Sequence, residues 1–255
     1  MHDPRRVKAP SSRDIKALTF IGEGFEVAQY QLHVAIFPSV SAVVVSHFVT
    51  RAVRNGWINI ERWNGVGINR LRLAAAGREL AVRAGGDERS LFIPKRAVAP
   101  KDVPHTLWIN DARIALLLNG SCTFDVVLPA WQLQRRLSPA PTAIPDVLAI
   151  RNGSGDAPAL LLACEIDLGG ERLAGTFLPK LKTLHSLLSE WRGSGTAQIL
   201  VLTRGIRRAQ LINSLAEADG LALVATCLPQ ASGPGGLASM RAVVEKVLSH
   251  AVNTS

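Results

Sequence analysis

From residue 12 onward apolar side chains recur at near-helical spacing. Ile15, Leu18 and Ile21 share one face, and Gly22 and Gly24 close the run. The same reading predicts a second helix over 27–37, with Tyr30, Val34 and Phe37 inward and a break at Pro38-Ser39. Over 40–55 the pattern is sharper: Val45, Phe48, Val49 and Ala52 fall on one face, opposite Ser46, His47, Thr50, Arg51 and Arg54. After Asn55-Gly56 the period changes from helical to two. The stretch 57–63 alternates like a strand, Asn64-Gly65-Val66-Gly67 reads as a turn, and 68–73 reads as its antiparallel partner.

A short helix over 74–84 and a break at Gly85-Gly86 follow. Pro94, Pro100 and Pro104 then punctuate a connecting stretch that carries Arg89, Lys95, Arg96 and Lys101, which places a domain boundary near residue 100. Beyond it the pattern is mixed α/β. Helices are expected over 105–118, 175–191, 207–218 and 237–250, and strands over 124–128, 147–150, 160–166, 198–203 and 221–226. The run 160–166 is apolar throughout and implies a strand buried on both faces. Gly233-Pro234-Gly235-Gly236 reads as a loop, and residues 1–12, polar, basic and proline-bearing, read as a flexible arm.

Composition narrows the class. A chain of 255 residues, 47% apolar and 19% charged, describes a folded protein with room for two domains. The net charge of +9 points to a polyanionic partner, and it is unevenly placed. Residues 1–110 hold 16 Lys or Arg against 9 acids, whereas 111–255 hold 13 against 11. The first half therefore suits phosphate contacts, and the second half suits work that needs carboxylates. Cys122, Cys164 and Cys227 have neither disulfide-framework nor zinc-site spacing. With no signal-peptide pattern and no apolar run of spanning length, the expectation is a cytoplasmic protein that makes no use of a membrane.

Three helices followed by a β-hairpin is the order of a winged helix-turn-helix. In that arrangement the third helix enters the major groove of double-stranded DNA and the hairpin lies along its backbone. The candidate DNA-binding residues are accordingly Thr50, Arg51, Arg54, Arg62, Arg70 and Arg72. Any one of them could equally belong to a solvated surface, and the whole pattern with its charge carries more weight than a single member.

In the second half, helix, three strands, helix, strand is the order of the PD-(D/E)xK nuclease core. Asp146 follows Pro145 at the start of one predicted strand, and Glu165 and Asp167 end the next. Two carboxylates on adjacent strand ends suit a hard cation, Mg²⁺ or Mn²⁺, held by Asp146 and Glu165. The position two residues after Glu165, where such a motif has lysine, is Asp167, so the amine would have to come from the following helix. Lys180 and Lys182 lie about 200° apart on a helix, so at most one can face the site, and Lys180 is the candidate. Asp111 is the candidate early helical acid. The bland alternative is an ion network in which Asp167 or Glu165 pairs with Arg172 or Lys180.

Over about residues 13–227 the chain resembles the bacterial replication-relaxation family, found largely on plasmids and other mobile elements. The resemblance rests on Asn69-Arg70-Leu71-Arg72-Leu73-Ala74-Ala75-Ala76-Gly77, on His105-Thr106-Leu107-Trp108-Ile109-Asn110-Asp111, on Ile144-Pro145-Asp146, and on Glu165-Ile166-Asp167-Leu168-Gly169-Gly170-Glu171 followed by Lys180. It implies two domains, a winged helix-turn-helix over 13–100 and a nuclease-like α/β domain over 101–255. It also implies DNA binding in replication, mobilisation or transcription regulation. An active Mg-dependent endonuclease, with Asp146, Glu165, Asp167 and Lys180 as catalytic residues, is the alternative, and a homodimeric regulator is a third.

Overall fold

Ser11 opens the first helix with a reciprocal cap. Its hydroxyl accepts the Asp14 N–H at 3.2 Å, and the Asp14 carboxylate accepts the Ser11 N–H at 2.8 Å, satisfying amides that a helix start otherwise leaves orphaned. The computed structural model describes residues 9–63, 67–120, 122–139, 141–153, 159–193, 195–229 and 233–253. Most of the expected N-terminal arm, and Asn64, Gly65 and Val66 of the expected hairpin turn, lie outside that set. The chain divides into two compact units, between Ala97 and Val98. It is mixed α/β, and among the described residues no helix is long and apolar enough to cross a membrane.

The first unit runs α1 (Ser12–Glu23), β1 (Val27–Ala28), α2 (Gln29–Ile36), α3 (Ala42–Arg54), β2 (Ile58–Trp63), β3 (Ile68–Leu73) and α4 (Ala75–Arg83). Its three strands form an antiparallel sheet in the order β1-β3-β2. One expectation needs correcting here: Val27 and Ala28 are not helical. They pair with Leu71 and Arg70 of β3, and α2 begins only where the Gln31 side chain accepts the Ala28 N–H at 2.8 Å. The buried face of α2 is Gln31 and Leu32, with Phe37 buried just beyond the helix, while Tyr30 and Val34 are half-buried. In α3 the buried residues are Val45, Phe48, Val49 and Ala52. Helix α4 lies so close to the start of β2 that a Cβ on Gly77 would stand 2.2 Å from the Trp57 carbonyl oxygen.

The second unit is α5 (Val103–Leu117), β4 (Val126–Pro129), α6 (Ala130–Arg136), β5 (Val147–Arg151), β6 (Leu160–Asp167), α7 (Leu178–Trp191), β7 (Thr196–Thr203), α8 (Ile206–Ala218), β8 (Leu223–Cys227) and α9 (Pro234–Asn253). Its sheet has the order β4-β5-β6-β7-β8, antiparallel from β4 to β6 and parallel from β6 to β8. Alternation sorts the side chains into two cores. Leu160, Leu162, Cys164 and Ile166 of β6 pack with residues of α5 and α9, including Trp108, Ala112, Met240 and Val244. Ala163 of β6 packs on the opposite face with Leu133 of α6, Leu181, Leu184 and Leu188 of α7, and Ile212 of α8. Strand β6, buried at every position but the half-buried Leu161, lies in the middle of a three-layer unit.

Three details depart from the pattern reading. Helix α6 falls where no element is expected. The segment Gly233–Gly236 is not a loop throughout, because Pro234 begins α9, a position where its fixed φ and missing N–H cost nothing. The helix expected from 175 starts instead with a π-helical turn, Leu173–Phe177, in which the Thr176 and Phe177 amides both reach the Arg172 carbonyl, at 3.0 and 3.2 Å.

Candidate functional site

Strand register builds the centre of the second unit. Val147 of β5 stands opposite Cys164 of β6, so one step back along β5 brings Asp146 opposite Glu165. By alternation both point to the α7 and α8 face. Asp146 Oδ2 accepts the Ile166 N–H at 2.8 Å, which fixes the carboxylate against the strand. Like charges placed across a strand pair repel. Glu165 shows the effect: burial first, and the Asp146 charge second, push its carboxyl up to about 8.

Lys180, in the first turn of α7, answers that charge. Its Nζ donates to Glu165 Oε2 at 2.6 Å. Burial alone would lower the amine, but the Glu165 carboxylate outweighs it and the net shift is upward. Lys182 turns away and pairs with Asp219 at 3.0 Å, as the angular offset of two residues on a helix requires. Glu165 is only 1% exposed, and its second oxygen, Oε1, is buried with no hydrogen-bond partner among the described residues. A buried carboxyl oxygen without a partner is costly, and either a proton or a bound cation would relieve it.

His105, from the first turn of α5, closes the other side. Its Nε2 lies 3.3 Å from Asp146 Oδ2 and 3.1 Å from the Ile166 carbonyl oxygen. Burial would lower the imidazole, yet the Asp146 carboxylate and the Ile166 carbonyl raise it overall. Asp111 is fully buried. Six residues along α5 it lies about 9 Å from His105 along the axis and about 240° around it, so the helix offers the site a histidine and not that acid.

Asp167 belongs to a different set of contacts. Its carboxylate accepts from the Thr203 hydroxyl at 2.7 Å, from the Gly169 N–H at 2.8 Å, and from Arg208 through Nε and, at 3.1 Å, through Nη2. Burial would raise this carboxyl, but the Arg208 and Thr203 hydrogen bonds dominate and it lies below the usual range. Asp146, Glu165 and Lys180 thus converge with His105, while Asp167 faces Arg208. The sequence reading missed His105 as a site residue, although it heads one of the stretches that carry the family resemblance. It missed Arg208 altogether, since 41 residues separate it from Asp167 and no local pattern links them.

The residues present suit a hard cation in part. Asp146 and Glu165 offer two carboxylates, and an Mg²⁺ or Mn²⁺ ion commonly takes one or two together with water and substrate phosphate. Among the described residues, no group of three or more His, Cys, Asp or Glu side chains is arranged as a complete ligand set.

In the first unit the expected DNA-facing residues separate into two groups. Thr50, Arg51, Arg54 and Arg62 are exposed, although Arg51 is also ion-paired with Asp14. Arg70 is only 3% exposed, held between Glu26 at 2.8 Å and Glu61 at 3.0 Å. Arg72 joins the same cluster at 3.6 Å from Glu26 and 3.5 Å from Glu61. Alternation along β3 sends Leu71 and Leu73 to the core and Arg70 and Arg72 to the opposite face, where Glu26 and Glu61 engage them, so the structure ties these two arginines to carboxylates of their own unit.

No family model matches the chain, and no curated protein matches it. Among solved structures it is similar to the crystal structure of protein VC1899 from Vibrio cholerae, at 14% identity and a TM-score of 0.30. That alignment covers 92% of this chain and 56% of the other, so the chain spans little more than half of that protein's length.

Proposed function

We propose that the chain is a DNA-binding protein of the replication-relaxation type, acting in replication, mobilisation or transcription control of a plasmid or other mobile element. In this reading the first unit is a winged helix-turn-helix and the second a PD-(D/E)xK nuclease-like domain. The observation that carries it is the meeting of Asp146, Glu165 and Lys180 where the start of β5 adjoins the end of β6, from three separate segments. The order α1, α2, α3, then the β2–β3 hairpin supports the first half. So does the exposure of Thr50, Arg51, Arg54 and Arg62. Arg70 and Arg72 would serve by bracing the hairpin rather than by touching phosphate.

A gel-shift series across salt concentrations with duplex DNA tests the binding. Each neutralised phosphate steepens the fall of log affinity with log salt by about 0.9. A flat dependence removes the reading.

The unpartnered Glu165 Oε1 favours a second reading, a metal-dependent endonuclease. Asp146 and Glu165 would hold Mg²⁺ or Mn²⁺, which when bound supplies charge neutralisation and an activated water. The chain's own groups then have defined tasks. The Ile166 amide and His105 fix the Asp146 carboxylate, and Lys180 brings a cation to the carboxylate pair from the side of α7. Relaxation of supercoiled plasmid with and without each metal, compared with Asp146→Asn and Glu165→Gln, decides this reading. Thermal shift with the metal alone gives a second readout: wild type gains stability, and both variants do not. Intact supercoiled DNA under every metal leaves the DNA-binding reading standing without catalysis.

A further inference from the structure

Asp167 occupies the position where a nuclease motif of this kind has lysine, and its carboxylate is fully engaged. Thr203, the Gly169 amide and two nitrogens of Arg208 all donate to it. It therefore has little capacity left for a cation or a water. What the arrangement produces instead is an immobilised guanidinium. Arg208 is gripped through Nε and Nη2 by Asp167, and Nη2 also donates to the Glu171 carbonyl at 3.0 Å. The guanidinium carbon lies 5.9 Å from the centre of the Phe177 ring.

Three constraints on one side chain leave its remaining nitrogen, Nη1, without a hydrogen bond to any described residue, while the side chain stays 22% exposed. A guanidinium has five donors in a rigid plane and suits oxyanions, especially phosphate, when its orientation is fixed in advance. The location is apt. Asp167 follows Glu165 by two residues on the same face of β6, about 7 Å along the strand, so Arg208 is anchored one side-chain step from the carboxylate pair. Arg204 and Arg207, both exposed, flank it after the end of β7 and in the first turn of α8.

We infer that Arg208, held in place by Asp167 beside the Asp146 and Glu165 carboxylates, binds a backbone phosphate of the DNA strand that lies across this site. The inference rests on the DNA-binding reading above and names a contact within it. Asp167 is then a positioning residue, and the exchange of lysine for aspartate at this point has moved the cation to α8 and given it a planar, two-edged head.

The test uses the full chain and a short duplex oligonucleotide, with affinity measured by fluorescence anisotropy over a salt series. Two variants change the phosphate contact while keeping the fold. Asp167→Asn with Arg208→Gln leaves a neutral hydrogen-bonded pair, and Arg208→Lys keeps the ion pair but lacks a second planar edge. Both are expected to melt near the wild-type temperature; the double variant should lower the slope of log affinity against log salt by about one, whereas Arg208→Lys, which keeps the charge, should lower affinity with the slope unchanged. Arg192→Gln, an exposed arginine beyond the other end of α7, is expected to leave the slope unchanged. A folded double variant with the wild-type slope, or a folded Arg208→Lys with the wild-type affinity, overturns the inference and leaves the DNA-binding reading intact. Absence of salt-dependent binding by the wild type overturns both.

Discussion

Lys180 donates to Glu165 at 2.6 Å from fifteen residues further along the chain. One partner is almost fully buried at the end of β6, and the other arrives from the first turn of α7. Removing only the amine strands a carboxylate in the interior, which is where buried ion pairs become expensive. Lys180→Met is therefore expected to cost about 3 kcal/mol at pH 8.5. Combining it with Glu165→Gln should recover most of the loss, because the carboxylate that had lost its partner is then gone. A double-mutant cycle by urea denaturation measures both, and purely additive losses would show that the two side chains act independently.

The pH dependence of stability follows from the same carboxyl. Glu165 lies at about 8 in the folded chain against 4.5 ordinarily, so between those values the unfolded chain has lost a proton that the folded chain retains. The stability that this group supports is complete below pH 4.5 and drains away as the pH rises through about 8, by roughly 1 kcal/mol per unit at most. Asp167 works in the opposite direction: its lowered carboxyl favours folding above its ordinary value and loses that contribution as acid protonates it. Glu165→Gln should remove the decline between pH 5 and 8, read as the difference between the two proteins' unfolding free energies. Parallel curves for the two would contradict this account.

Charge in the first unit divides between support and surface. Arg70 pairs with the buried Glu26 and with the partly exposed Glu61. Burial is the largest influence on Glu26 and raises its carboxyl, even against Arg70 and Arg72. Arg70→Met is expected to destabilise by about 3 kcal/mol, whereas Arg54→Ala and Arg62→Ala, on exposed positions, should stay within about 0.5 kcal/mol. DNA affinity should show the reverse order once folded fractions are matched. Thermal melting beside anisotropy titration separates the two effects, and a destabilised Arg54→Ala would contradict the assignment.

Gly77 marks where α4 meets β2. The Ala74 amide donates to the Trp57 carbonyl at 3.0 Å, and a methyl group on Gly77 would collide with that same oxygen. Because the obstacle is backbone, no rotamer change relieves it. Gly77→Ala should cost about 2 to 3 kcal/mol, despite alanine's better helix propensity. A gain in melting temperature would show that α4 shifts freely.

Much of this structure was readable from periodicity. The stripe of Val45, Phe48, Val49 and Ala52 specified α3, and the apolar run before Glu165 specified a strand buried on both sides. The departures have physical causes. Val27 and Ala28 extend because β3 offers a free edge at Leu71 and Arg70, far along the chain, which no local pattern reveals. Helix α6 is one short element of seven residues, too brief for a periodic signal. Asp146, Glu165 and Lys180 could be picked out as residues, but Arg208 could not, since its role depends on β7 and α8 folding back beside β6. Arg70 looked like a surface cation because sequence alone does not show which strand face meets a buried glutamate.

Alternation along β6 gives Glu165 and Asp167 the same face and leaves open which element will meet them. Here α7 supplies a lysine to the first and α8 an arginine to the second. In such an architecture the linear distance from acid to base is set by the connecting loop and the helix phase, not by the chemistry. That distance can change with the length of the connecting loop while the charge pairs remain in place, so strand register specifies the site more directly than the spacing of the motif does.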